Sequence, residues 1–308
     1  MSNKIVRLNS FETNKIPNLD QINNSSYELL NYYLQHDFSE FEKILLKDKT
    51  LCNQTLDSLS YIINNIFIEK NNPNYRDGLE YILEKSKENN IFNYESIISL
   101  SLSLSLQSKW ISSLDNFNKV VGKQFYLEHI RANLYLAYNI FEKNPKIFEH
   151  FIFSDLILLL SIHNIGLAII SGLFRIEYSM LVCLTNKNPL SSLEVVERNL
   201  STAKISNNSC GSSFLCHAKI GAIALNKWGL PRKFVDSVLL HHKDNYEGPF
   251  KDYIYFVQLC NNILSKYQKS DVRVRTMPSY ISQYFNGIDL DISLSAFERN
   301  KDKELDLS

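Results

Sequence analysis

From Ser25 onward apolar side chains recur at intervals of three and four. Tyr27, Leu29, Leu30, Tyr33 and Leu34 trace one face, the spacing of a half-buried α-helix. Phe38, Phe41, Ile44 and Leu45, then Leu51, Leu56, Leu59, Ile62 and Ile63, carry the pattern into successive helices, until EKNNPNYRDG (69–78) breaks it with Pro, Gly and Asn. Farther on, Tyr126, Ile130, Leu134, Ala137, Ile140 and Phe141 line a helix that should end near Lys143, ahead of Asn144 and Pro145. Residues 152–164 read as an almost wholly apolar helix, and 212–228 as another with Ile220, Ala224 and Trp228 down one side. Gly229-Leu230-Pro231 then supplies a Gly for a helix C-terminus and a Pro for the next first turn. Phe234, Val235, Val238 and Leu239 take that helix to His241 and His242, and residues 253–267 form a closing one. Residues 1–16 read as a polar, flexible lead, and 287–308 as a surface helix or frayed tail.

One segment resists the pattern. SIISLSLSLSLQ (96–107) alternates with a period of two, which by itself signals a strand. No second strand of similar strength exists to pair with it, and a lone strand is unstable. The reading adopted is a helix buried on most sides, its Ser hydroxyls bonded to carbonyls one turn back. The fold class expected is therefore all-α, without an internal repeat of 20–50 residues.

Composition narrows the picture. The chain has 308 residues, 44% hydrophobic, with a formal net charge of zero, so no global field recruits nucleic acid or an anionic membrane. KSDVRVRT (269–276) is the one basic stretch, read as a solvated loop. Five cysteines (Cys52, Cys183, Cys210, Cys216, Cys260) without a CxxC pair suit a reducing compartment. The N-terminal stretch holds no apolar core of signal-peptide length. FIFSDLILLLSIHNIGLAII (151–170) resembles a membrane span but carries Asp155, His163 and Asn164. One Asp near a bilayer centre costs about 3 kcal/mol, so a buried helix of a cytoplasmic protein is the better reading.

The candidate chemistry lies in four histidines at helix ends or facing the core: His129 early in one helix, His163 followed by Asn164, His217 and His241. Three of these helices are strongly apolar, so the rings should point into a shared interior. LLLSIHNIGLAII resembles the LLHDIG helix end of the HD superfamily of metal-dependent phosphohydrolases, and HAKIGAIALNKWGLPRKFVDSVLLHH is similar to the HAEVGA…WGLP…HH segment of its HDOD branch. EHIRANLYLAYNIF and YFVQLCNNILSKY fall where that family has its first His and its closing helix. The likeness spans roughly residues 16–270. It implies a two-lobed helical protein: a lead (1–16), an N-terminal helical lobe (17–117), an HD-like lobe (118–275) and a C-terminal extension (276–308).

In catalytic HD enzymes a His, a His-Asp pair and a late Asp hold one or two divalent metals that activate water. Carried over, the resemblance places His129, His163, Asn164, His217, His241 and Asn261 at those positions, with Asn at both places where Asp is expected. An amide offers only a neutral oxygen to a hard cation. The expectation is therefore a vestigial, non-catalytic pocket without metal or cofactor. In it Asn164, which both donates and accepts, satisfies His163. If any metal binds, His129, His163, His217 and His241 would hold it. The functional reading is a signalling or regulatory protein that binds a partner protein or small ligand; its rivals are a phosphohydrolase acting on a nucleotide or cyclic nucleotide, and a scaffold without a ligand.

Other features are read as structural. Cys216 and His217 are adjacent and point about 100° apart on a helix, so Cys216 is an inert thiol. Of His241 and His242, the first faces inward and the second faces solvent or caps its helix. Glu128 and Glu194 are surface charges. His36-Asp37 imitates the HD dipeptide but starts a helix capped at Asp37 or Ser39. The 17 Tyr and 18 Phe are spread at helical spacing, as packing rather than a base-stacking platform.

Overall fold

The computed structural model describes residues 14–62, 75–88, 93–115, 121–146, 148–187, 193, 195–197, 199–200, 216–267 and 278–288. Among these residues the regular elements are all helices, beginning with the single turn α1 (Leu19–Ile22). Cys210, Glu194, the basic stretch 269–276 and most of the C-terminal tail lie outside them.

The Ser-Leu repeat belongs to a helix, α6 (Tyr94–Ile111). Every residue from Ser96 to Gln107 is buried, so a repeat of two makes no demand for a solvent face and a strand is not needed to explain it. On one side α6 meets α2 (Asn24–Leu34), α3 (Phe38–Leu45), α4 (Lys49–Ile62) and α5 (Tyr75–Ser86). The hydroxyls are satisfied in two ways. Ser101 Oγ donates to the Ile97 carbonyl at 2.8 Å and Ser103 Oγ to that of Leu100 at 2.7 Å. Others bridge helices: Ser26 to Ser105 (2.7 Å), Thr55 to Ser101 (3.2 Å) and Tyr33 to Ser99 (3.1 Å). An unsatisfied buried hydroxyl would cost about 1–3 kcal/mol, so these bonds let a Ser-rich helix stand at the centre of a core. Asn93 and Asp37 cap α6 and α3 by accepting from the Ser96 and Glu40 amides, which fixes His36-Asp37 as a helix start.

The other side of α6 faces α8 (Phe153–Ile162) and α9 (Ile165–Leu173). Together they make a 21-residue apolar stretch of mean hydropathy 2.1, long and apolar enough to cross a membrane, yet 83% buried inside the protein. The helix expected over 152–164 is α8, ended by His163, and Asn164, at φ −99° and ψ 10°, stands at the start of α9. Long α7 (Lys123–Lys143) packs beside α8, and α10 (Arg175–Lys187) follows α9. Then α11 (His217–Lys227) and α12 (Arg232–Leu240) form a tight pair. Gly229, at φ +86°, ends α11 as the sequence suggests: the Leu230 amide donates to the Leu225 carbonyl and the Gly229 amide to that of Asn226, a Schellman termination. Finally α13 (Lys251–Tyr267) crosses α7 and α12, and short α14 (Ser279–Tyr284) covers it. Phe148 stacks on Phe141 and meets Phe256 and Phe285 edge-on or tilted, sealing this end of the core.

Two polar ties cross the assembly. Ile16, at the end of the expected lead, is fully buried. The Lys227 ammonium donates to its carbonyl (2.6 Å), and the Trp228 indole N–H to that of Pro17 (3.2 Å). The second tie explains the acid within the apolar helix. Asp155 is buried; it pairs with Lys233 of α12 and accepts from Tyr253 of α13 at 3.2 Å. One carboxylate thus pins three helices. Replacing Asp155 with Ala should lower unfolding free energy by about 3 kcal/mol, since it leaves a largely buried ammonium without its counter-ion; urea denaturation at neutral pH checks this.

Candidate functional site

The site begins with two glycines. Gly166 lies in the first turn of α9 and Gly221 in the second turn of α11. A Cβ on Gly166 would collide with the His217 carbonyl oxygen and come within 2.6 Å of the Gly221 nitrogen; one on Gly221 would meet Val238 at 3.1 Å. The two helices therefore touch backbone to backbone, which sets His217, first residue of α11, against the first turn of α9, just beyond the His163–Asn164 junction.

His163 and His241 each follow the last residue of an apolar helix, and both are buried, as is His217. Ring contacts run without a gap from His129 to His163 (centroids 5.4 Å), His163 to His241 (5.3 Å), His241 to His217 (5.4 Å) and His217 to His242 (5.0 Å). His129 enters from α7, partly buried, with Phe125 stacked on it. Asn261 enters from α13, its amide nitrogen 3.4 Å from His163 Nε2. The structure thus brings His129, His163, His217, His241 and Asn261 together. Asn164 is half-buried at the start of α9 without a side-chain capping bond. The expected satisfaction of His163 by Asn164 is corrected: the Leu160 carbonyl, 2.8 Å from Nδ1, and Asn261 meet His163 instead. The reason is the α8–α9 break, which carries Asn164 into a new helix.

Hydrogen bonds fix most of the tautomers. His163 Nδ1 donates to the Leu160 carbonyl, and His241 Nδ1 to that of Val238 at 2.6 Å. Each Nε2 is then a lone pair facing the cluster. His129 Nε2, 3.4 Å from His163 Nε2, must be the donor of that pair. Among the described residues His129 Nδ1, His241 Nε2 and Asn261 Oδ1 are buried without a hydrogen-bond partner. All three are acceptors in this arrangement.

Two members were not expected. His242 turns its Nε2 to within 3.0 Å of His217 Nε2, so it joins the cluster rather than only facing water. Glu197, 4% exposed, accepts from both the backbone amide (3.0 Å) and Nδ1 (2.9 Å) of His217 through Oε1. The pocket is therefore not without an anionic oxygen, as the two Asn positions had suggested. The adjacent HH pair could have pointed to His242. No spacing signal marks Glu197, which lies 20 residues before its partner.

Burial, and the neighbouring imidazoles, push His163 and His241 well below the usual 6.5. Burial takes His129 down to about 4. Burial and the nearby Glu197 raise the Cys216 thiol to about 11, which keeps it protonated and inert.

Two predictions follow from this geometry. Gly166→Ala should destabilise by about 3 kcal/mol or more because backbone must move. Gly78→Ala, where the added carbon meets only Leu56 at 3.9 Å, should stabilise α5 by about 0.5 kcal/mol; chemical denaturation of both variants tests the contrast. A histidine whose folded pKa is depressed stabilises the fold fully above its unfolded value, and that stability is lost as pH falls toward the folded value. Chelator-treated protein should therefore lose stability from pH 6.5 down toward 4, at about 1.4 kcal/mol per pH unit for each ring held neutral. Denaturation midpoints across that range check the slope.

No protein-family model and no curated protein matches this chain. Solved structures do. A protein with a proposed role in signal transduction from Marinobacter aquaeolei VT8 superposes with a TM-score of 0.67 at 13% identity, over 96% of this chain and 63% of the other. The chain thus spans less than two thirds of that protein. An HDOD domain protein of unknown function from Geobacter sulfurreducens superposes with a TM-score of 0.59 at 15% identity, over 94% of this chain and 93% of the other. These superpositions show that the all-helical fold of this chain is that of an HDOD domain.

Proposed function

We propose that this chain is a non-catalytic, cytoplasmic regulatory protein that works by binding a partner protein or a small ligand at or through the histidine cluster. The observation that carries this reading is the donor set. Where the resemblance implies two aspartates the chain has Asn164 and Asn261, and a bridged pair of hard cations needs anionic oxygens. Glu197 does not replace them, because its Oε1 is turned to the His217 Nδ1 side, away from the ring nitrogens that face one another. Among the described residues, the side chains that meet at the cluster include no Lys or Arg, which would hold a phosphate. A role in signalling agrees with what is proposed for the Marinobacter protein.

A phosphohydrolase acting on a nucleotide or cyclic nucleotide is the second reading, favoured by one observation: His241 Nε2 is a buried lone pair without a partner. Turnover of a generic phosphodiester and of cyclic nucleotides, measured with Mg²⁺, Mn²⁺ and Zn²⁺ in turn, separates the two. The expected outcome is no turnover above background with any of them. Turnover that disappears in His163→Ala would establish the enzyme and end the regulatory reading.

A further inference from the structure

We infer that the far ends of α9 and α11 form a socket for a short peptide segment of the cation–aliphatic–proline type, which this chain fills in cis with Lys15, Ile16 and Pro17 as a detachable clasp. The socket lies at the opposite ends of these helices from the histidine cluster. It therefore goes beyond the regulatory reading, which is placed at the cluster, and stands or falls without it.

Contacts of different chemistry seat the segment. The Ile16 side chain is the anchor, fully buried between an exposed Lys15 and a half-buried Pro17. Its carbonyl accepts from the Lys227 ammonium at 2.6 Å, and the next carbonyl, of Pro17, accepts from the Trp228 indole N–H at 3.2 Å. Lys227 is the last residue of α11 and Trp228 the one after it, so neighbouring donors meet neighbouring acceptors. The Lys15 ammonium stands 5.4 Å from the centre of the Phe174 ring, which ends α9, a cation–π contact. A buried side chain flanked by more exposed ones, with main-chain groups held by the receiving surface, is how extended peptides are recognised.

The residue types suit this use. Proline has no N–H and disfavours helical backbone at the residue before it, so the segment presents its carbonyls to outside donors rather than to a helical ladder. Asn18, extended at φ −66° and ψ 157°, then opens α1, and its amide donates to the Gln21 side chain at 3.1 Å. This capped start is the hinge about which the segment can leave while α1 stays in place. At their near ends α9 and α11 touch through Gly166 and Gly221, and the clasp bridges their far ends. Seating it thus braces the helix pair that carries His217, and a competing segment of the same chemistry would take its place.

The test uses the full chain with Ile16→Cys, whose thiol reacts only when the clasp is open, and buried Cys260 as the internal standard. Labelling at position 16 should run about 100-fold faster than at Cys260, because local opening costs less than global unfolding. Lys227→Met, which keeps the apolar stem, should speed it about 10-fold further through loss of a hydrogen bond from a charged donor. A synthetic peptide of residues 12–20, ETNKIPNLD, should speed it saturably by taking the socket, and the same peptide with Ile16→Ser should not. NMR of the chain labelled with 5-fluorotryptophan gives a second reading that needs no added thiol. Ile16→Ala should shift the Trp228 resonance, saturating peptide should restore it, and Trp110 should not move. Labelling at position 16 no faster than at Cys260 would make the segment fixed core and overturn the inference. So would fast labelling that neither Lys227→Met nor the peptide changes, since that is fraying without a socket, or a Trp228 resonance indifferent to the peptide.

Discussion

Everything at the centre of this fold depends on how closely α9 and α11 approach. With glycine at 166 and 221 their backbones are in contact, and a single methyl on Gly166 would sit against the His217 carbonyl. That closeness cannot be reached by side-chain repacking, because the colliding atoms are main chain. It fixes the start of α11 against the junction of α8 and α9, so that His163 and His217 are placed by backbone rather than by flexible side chains. The HAKIG and IHNIG glycines are thus two halves of one steric requirement. The pairing of α12 with α11, and the Asp155–Lys233 tie from α12 to α8, close the remaining side on which His241 stands.

Within that frame the electrostatics are unusual for a core. Imidazoles crowd together with few protons to share, and each ring whose Nδ1 is spent on a carbonyl or on Glu197 presents only a lone pair to its neighbours. Adding a proton to any of them would place a positive charge in a low-dielectric interior beside other rings, which is why burial holds His163 and His241 neutral. Among the described residues the cluster leaves His129 Nδ1, His241 Nε2 and Asn261 Oδ1 as acceptors without a donor, and each such orphaned atom costs about 1–3 kcal/mol.

Much of this was legible in the chain. The helix class, the Gly229 stop and the placing of His163, His217 and His241 at helix ends follow from periodicity and from residues with single roles, since only Gly takes φ +86° at ease. The Ser-Leu repeat was readable only by elimination, because burial on every side removes the amphipathic signal that periodicity relies on. The rest was hidden for definite reasons. Glu197 is a lone acid in an ordinary-looking segment, and its meeting with His217 is a tertiary event 20 residues away. Sequence adjacency makes Asn164 the natural partner of His163, but a new helix starts at Asn164, and Asn261, 98 residues distant on α13, meets the His163 ring instead. Adjacency along the chain says little about adjacency at a helix junction.

The amides at 164 and 261 and the buried imidazoles together limit what the cluster can be for. If the pocket were only a relic, nothing would oppose filling it with apolar side chains, which would remove the orphaned acceptors and their cost. A cluster that keeps five histidines, one buried glutamate and two space-making glycines is specified well beyond what packing requires. Such a set gains most from whatever supplies the missing positive charge or donors, and any species that does so stabilises the fold in proportion to its occupancy. Because the responsible residues sit at the ends of α8, α11 and α12, that stabilisation falls on the junction that joins the apolar α8–α9 pair to the α11–α12 pair. Occupancy of the cluster and rigidity of that junction are therefore one thermodynamic quantity.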